Sequence, residues 1–429
     1  MKKICYLADA SNSHTQKSCV YFRDHGYDVS VISLNGGKID GVKVYDLGVD
    51  VEKNKNKKII NKLGYIGQLS KVKRLIKKIK PDILHSQYAS SYGLLGALSG
   101  FHPYMITIWG SDIYDFPKGG FIQKNIIKYN FKKSDYIFAN SKDMAREGRK
   151  YTSKYIQPVY LGVDLEIFKP SEEKNKYNES CFTEEIQKKD SYKMNELTED
   201  IQKKDSYKMN ELTEDIQKEN SYKVSEFYKN IQQENSYNKK YFEEENYKKK
   251  DFVIGVIKSL EKKYGIEYLI EAFALLKKEG YKNIKLKIGG SGTARESLEN
   301  YAKELGLGND VEFLGRVPFE KVASTFSSFD VSVFPSLWEG FGVASIESQA
   351  CGTPVIVTNV GGHPESMNDG VTGLLVEPKN AIEIKEAVKK LIENDELRKN
   401  MSCNAVDFVR KNYELNINFK PIEKVYNKC

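Results

Sequence analysis

Short apolar runs of strand character alternate with helix-patterned stretches along most of this chain, and that alternation restricts it to parallel, doubly wound α/β sheets. In the first half the runs are Lys3–Leu7, Asp28–Ile32, Asp82–His85, Met105–Trp109 and Tyr136–Ala139. In the second they are Phe252–Ile257, Ile284–Ile288, Val311–Leu314, Val331–Phe334 and Pro354–Val357. The 429 residues are too many for one ordinary domain and enough for two, each with its own core. Such sheets bind ligands beyond the carboxyl ends of their strands. Two domains facing each other therefore place the expected chemistry in the cleft between them.

Between the halves the rhythm breaks. SYKMNELTEDIQKKD (Ser191–Asp205) runs directly into SYKMNELTEDIQKEN (Ser206–Asn220), with weaker copies at Lys176–Asp190 and Ser221–Asn235. Each copy has few large apolar side chains and many charges, too little apolar area to offset the entropy of ordering a compact domain. Helix formers dominate, and Pro and Gly are absent, so the expectation is a disordered or helical charged insert. Loop closure becomes harder only logarithmically with length, so a surface linker tolerates such an expansion.

Composition narrows the class further. With 40% hydrophobic and 29% charged residues the chain is an ordinary globular mixture. The six cysteines are scattered without a metal-binding or disulfide spacing, as in a reduced compartment. MKKICYLADA is interrupted by Asp9 too early for a secretory leader, which predicts a cytoplasmic protein. The window Ser86–Gly110 lacks Asp, Glu, Lys and Arg, yet its Pro, His and glycines suit a small-residue helix and a buried strand better than a bilayer span. The net charge is +8, and the excess lies outside the repeats. Lys53–Lys58 and Lys71–Lys80 are basic clusters that read either as solvated surface or as attraction to anionic lipid or an anionic acceptor. No nucleic-acid recognition motif accompanies them.

The chemistry is densest in EGFGVASIE, Glu339–Glu347, after the strand Val331–Phe334 and a Pro335–Ser336 turn. Gly340 and Gly342 permit backbone conformations and close approach that a side chain would block. A helix starting near Val343 would turn the amides of Phe341, Gly342 and Val343 outward, a setting that attracts an anion such as a diphosphate. Glu339 in the loop and Glu347 in the helix are then free to accept hydrogen bonds from hydroxyls. An ordinary helix start with acidic residues near its positive end fits the spacing equally well.

The larger pattern resembles a known family. Glu339 and Glu347, with seven residues between them, resemble the E-x7-E signature of retaining GT-B glycosyltransferases of glycosyltransferase family four. FLGRVP (Phe313–Pro318), FPSLWEGFG, ACGTPVI (Ala350–Ile356), VGG (Val360–Gly362) and DGVTGLLVEP (Asp369–Pro378) stand in the family's order. So do HGYDVSVIS (His25–Ser33), KPDILHSQY (Lys80–Tyr88), WGSDIY (Trp109–Tyr114) and YLGVDLEIF (Tyr160–Phe168).

The resemblance implies a GT-B fold: two Rossmann-like domains facing a cleft, with the repeats at the linker. Residues 1–170 would bind the acceptor, 171–250 form the insert, and 251–409 bind the nucleotide sugar, with a final helix of about 410–429 returning to the first domain. It also implies roles. Glu347 would hold the ribose, Glu339 and the Gly340–Val343 backbone the transferred sugar, and Arg316 and Val317 the base. The family's Arg and Lys at the diphosphate are replaced here by Lys258 and Lys263, with Lys262 competing for the second position. His14 lies in SNSHT, where many relatives have Gly-Gly, and on the acceptor side it would meet the acceptor or a phosphate, while Asp112 of WGSD would bind the acceptor or support the sugar. Trp109 stands where many relatives have histidine.

No DxD pair follows a strand, so no metal is implied. No GxGxxG follows the first strand, which argues against a dinucleotide cofactor. The implied activity is transfer of a sugar from a nucleotide diphosphate sugar to a hydroxyl, with retention, in cell-surface polysaccharide or glycolipid synthesis. A lipid-linked acceptor and peripheral attachment to an anionic membrane go with it. The rivals are another enzyme on the same fold, such as a sugar-nucleotide epimerase or a phosphorylase, and a scaffold acting through the repeats.

Overall fold

Seven strands of the N-terminal half line up in the order β3-β2-β1-β4-β5-β6-β7, all parallel. The strands are β1 Lys3–Leu7, β2 Asp28–Ser33, β3 Lys43–Asp46, β4 Ile83–Gln87, β5 Tyr104–Ile108, β6 Tyr136–Ala139 and β7 Ile156–Pro158. The central strands β4 and β5 are buried along their whole length, as a parallel sheet covered on both faces requires. The crossovers are α1 Ser13–Asp24, α2 Leu69–Ile79, α3 Ser91–Ser99, α4 Ser111–Tyr114, α5 Phe121–Lys133 and α6 Lys142–Gly148.

The C-terminal half repeats the plan with six strands in the order β10-β9-β8-β11-β12-β13. These are β8 Phe252–Ile257, β9 Ile284–Gly289, β10 Val311–Gly315, β11 Val331–Phe334, β12 Val355–Thr358 and β13 Gly373–Val376. Their helices are α7 Ile266–Lys278, α8 Arg295–Glu304, α9 Phe319–Ser327, α10 Val343–Ala350, α11 Ala381–Glu393 and α12 Asp395–Tyr413. Both sheets are doubly wound, with strand order reversing between β1 and β4 in one and between β8 and β11 in the other.

The last helix, α13 Leu415–Lys428, leaves the second sheet and packs on the first. Its Phe419, Ile422 and Tyr426 are buried with Tyr6, Phe22 and Val29, and the Tyr426 and Tyr6 hydroxyls bond at 2.9 Å. Met1–Lys174 and Val253–Cys429 form one compact unit.

This computed structural model describes residues 1–49, 63–172, 174 and 251–429. The repeats and Lys53–Lys58 lie outside the described residues. The expected strands stand within a residue or two of their predicted ends. Three short ones, β3, β7 and β13, were not predicted. Ser86–Gly110 folds as the end of β4, helix α3 and strand β5, and among the described residues no helix is long and apolar enough to cross a membrane.

Candidate active site

His14, Lys258 and the Glu339–Glu347 run gather at the two places where strand order reverses, the positions at which an open α/β sheet leaves a crevice beyond its strand ends, whereas Arg316 and Val317 follow the edge strand β10 and Asp112 follows β5. In the C-terminal domain, β8 ends directly before Lys258, and β11 leads into the loop Pro335–Gly342. Gly342 starts α10 with φ +101°, a conformation that side chains disfavour. The loop is clamped from behind. Gly361 and Gly362 lie so close that a Cβ on either would come 2.2 Å from the carbonyl oxygen of Glu339 or Gly340.

Glu339 is nearly enclosed, its side chain 11% exposed, and its Oε2 lies 2.5 Å from Lys258 Nζ. Its Oε1 accepts the Gly340 N–H at 3.2 Å. Burial pushes this carboxyl up, but Lys258, His363 and the Gly340 amide outweigh burial and hold it below the usual carboxylate value. Lys258 also sits over the Tyr264 ring, 4.6 Å from its centroid. Burial works against its charge, yet Glu339, Tyr264 and Glu347 raise its pKa above the ordinary lysine value. Of the two adjacent lysines, Lys263 is the one placed against Trp338, the residue before Glu339, at 5.1 Å from the ring centroid.

Glu347, in the second turn of α10, is raised by burial, with Lys17 and Lys258 pulling the other way. Its Oε1 lies 3.6 Å from Lys17 Nζ, which also donates to the Gly162 carbonyl at 3.2 Å. The amides of Phe341, Gly342 and Val343 donate to no protein acceptor among the described residues. The Phe341 ring is buried against Tyr160 and Tyr413.

The N-terminal domain supplies the opposite wall. Asn12 caps α1 by accepting the His14 N–H at 2.8 Å. The His14 imidazole stacks on Trp109, centroids 5.2 Å apart and ring planes nearly parallel. Burial, reinforced by Lys17 and Lys258, lowers its pKa to about 4, so it is neutral near pH 7. Met144 of α6 and the Trp109 carbonyl lie over Gly340, where a Cβ would meet Met144 Cε at 2.5 Å.

Asp112 is placed differently from a group free to meet an acceptor. It is fully buried, accepting the Ala89 N–H at 2.7 Å on one oxygen and the Gly110 N–H at 2.8 Å on the other. It staples the ends of β4 and β5 together. Arg316 is exposed just past β10, while Val317 packs at Gly289, the end of β9.

Lys17, His363 and Glu365 were not singled out from sequence. Lys17 is one helical turn after His14, a weak signal. His363 follows the VGG run, is buried against Gly342, and has its pKa lowered to about 4 by burial, with Glu339 opposing. Among the described residues no three His, Cys, Asp or Glu side chains gather in a metal-holding group. The arrangement is a cleft lined by lysines, two carboxylates, free amides at a helix start and neutral imidazoles. It is suited to a ligand combining phosphate charge with hydroxyl groups.

Residues 238–407 match the family described as glycosyl transferases group 1, and residues 3–141 match that described as glycosyl transferase 4-like. A capsular polysaccharide biosynthesis glycosyltransferase of Staphylococcus aureus is 34% identical over 194 residues, 43% of this chain and 49% of that protein. The chain spans between about two fifths and one half of the length of the curated relatives it matches most strongly. Sucrose-phosphate synthase from Thermosynechococcus elongatus superposes with a TM-score of 0.70 at 16% identity, covering 100% of this chain and 99% of that one. Anabaena HepE in complex with UDP and glucose superposes with a TM-score of 0.68 at 16% identity, covering both chains fully. Likeness at that identity establishes the two-domain GT-B fold.

Proposed function

This chain belongs to the glycosyl transferases group 1 family, with a glycosyl transferase 4-like N-terminal domain, and from that premise we propose that it moves a sugar from a nucleotide diphosphate sugar to an acceptor hydroxyl with retention of anomeric configuration. The observation that carries the reading is the pairing of Lys258 with Glu339 beside the free amides that open α10, at the sheet's reversal point. In this reading Glu347 accepts hydrogen bonds from the ribose, Glu339 holds the transferred sugar, and Arg316 and Val317 border the base. The diphosphate takes Lys258, Lys263 and the amides of Phe341, Gly342 and Val343. As it departs, the C–O bond to the anomeric carbon breaks and the acceptor oxygen bonds on the same face. The acceptor proton passes to a diphosphate oxygen, so no protein nucleophile is needed. Rate then rests on stabilising the leaving diphosphate by preorganised charge. His14, neutral and stacked on Trp109, borders the acceptor, while Asp112 keeps that wall in place.

UDP and glucose in the Anabaena relative and the polysaccharide role of the S. aureus relative support a nucleotide-sugar donor and a cell-surface product. A lipid-linked acceptor fits the N-terminal surface. α2 and its C-cap carry Lys71, Lys73, Arg74, Lys77, Lys78 and Lys80, and α5 carries Lys124, Lys128, Lys132 and Lys133, with no acidic residue in either. α3 packs between them. At the start of α5, Phe121 is 82% exposed and Ile122 59%. Cations around an exposed aromatic and an isoleucine match an anionic lipid surface.

NMR of the product tests the reaction. The anomeric proton should show the donor's configuration, and an inverted product would overturn the same-face route.

A further inference from the structure

One carboxylate outside the donor loop joins three separate parts of the chain. Glu365 lies on the single turn His363–Ser366, after β12. Its Oε2 accepts the Lys142 N–H and the Tyr160 O–H, each at 2.8 Å, and its Oε1 accepts the Asp143 N–H at 2.8 Å. Lys142 and Asp143 open α6 of the N-terminal domain, and Tyr160 lies past β7. Tyr413, the last residue of α12, donates to the backbone oxygen of Glu365.

The first amides of a helix find no acceptor within it and are met by a cap or by water. At α6, Ser141 takes the Met144 N–H at 3.0 Å, and the two amides before it are taken by a residue of the other domain. Such charge-assisted bonds are stronger than neutral ones, and a negative group is favoured at a helix start. The same turn reaches the donor loop. His363 lies against Gly342, and a Cβ on Gly362 would come 2.7 Å from Ser141 and 2.2 Å from the Gly340 oxygen. Met144 of α6 lies over Gly340. The helix that Glu365 caps therefore also covers the loop that carries Glu339.

We propose that Glu365 is a positioning residue, a latch by which the C-terminal domain caps a helix of the N-terminal domain and so holds the Glu339–Val343 loop in place. Its effect on turnover rests on the transferase reading; the latch itself does not. Separating the two domains at this point exchanges three hydrogen bonds to one carboxylate for water, and it uncovers Gly340.

Hydrogen exchange on the full chain tests this without any ligand. In Glu365→Ala the amides of Lys142 and Asp143 should exchange on the order of tenfold faster or more, with β1 and β8 amides unchanged. Tyr160→Phe, which leaves both backbone contacts, should give a smaller local increase. If Glu365→Ala does not fold, Glu365→Gln and Tyr160→Phe carry the measurement. Unchanged exchange at Lys142 and Asp143, or acceleration spread evenly through the chain, would overturn the latch. With a sugar nucleotide that the wild type turns over, Glu365→Ala should lower kcat more than it raises KM; unaltered kinetics would overturn the positioning role. If no sugar nucleotide is turned over at all, the transferase reading fails while exchange still decides the latch.

Discussion

Glu339 and Glu347 belong to one short run and yet stand in opposite electrostatic settings. Lys258 touches Glu339 at 2.5 Å and holds its pKa low against burial, whereas Lys17 stands 3.6 Å from Glu347, and there burial prevails. Losing a hydrogen bond to a charged group removes roughly 1.5–3 kcal/mol. Glu347→Ala should therefore weaken nucleotide binding by about tenfold or more, while Glu339→Ala should mainly slow transfer. Calorimetry and steady-state kinetics separate the two, and near-wild-type values in both mutants would sink the assignment. The histidines give a pH signature. His14 and His363 have folded pKa values of about 4 and His85 about 3, all lowered by burial from an ordinary 6.5. The unfolded chain then binds more protons below pH 6.5, so stability falls as pH drops from about 6.5 towards 4. His363→Gln should flatten part of that acid limb in denaturant titrations; an unaltered limb would show that His363 is not held neutral.

At the scale of elements, the strands and the Glu339–Glu347 loop were legible because their signals are local. Val331–Phe334 is an apolar run, and two glycines and two carboxylates share the nine residues Glu339–Glu347. The missed strands lacked such signals. β3 is a half-exposed edge strand, β7 has three residues, and β13 hides in a glycine-rich turn. Lys17 and Glu365 were hard to read because their partners Glu347, Lys142 and Asp143 belong to the other sheet, and His363 because it meets Gly342 only once β12 and α10 are folded together. Asp112 was legible as a polar residue at a strand end, but its use by backbone amides depends on Ala89, which only folding places nearby. The cationic helices α2 and α5 carry a prediction of their own. Each lysine near an anionic surface contributes on the order of 1 kcal/mol. The protein should sediment with anionic vesicles, release with salt, and lose binding in a Phe121→Ser/Ile122→Ser variant. Equal binding to neutral vesicles, or none, would count against docking.

Taken whole, the molecule is two doubly wound sheets tied by a returning C-terminal helix, with α13 buried on the first sheet. The sequence that forms β8 resumes at Phe252, after the repeats. Lys174 bonds the Phe329 carbonyl and the Thr353 hydroxyl and belongs to the compact unit. Loop-closure entropy depends weakly on length, so deleting about Asn175–Lys249 should leave the fold and donor binding largely intact, with modest kinetic shifts. Loss of soluble protein would instead make the repeats part of the structure. The central claim, that the Glu339–Glu347 loop and Lys258 form a nucleotide-sugar site, is tested most directly by thermal unfolding against a panel of nucleotide diphosphate sugars. A ligand that binds only the folded state adds about 2.7 kcal/mol at a hundred times its Kd. At least one sugar nucleotide should raise the Tm of the wild type by several degrees and that of Glu347→Ala by about half as much or less, as binding weakened about tenfold requires. No shift with any of them, or equal shifts in both proteins, would contradict the account.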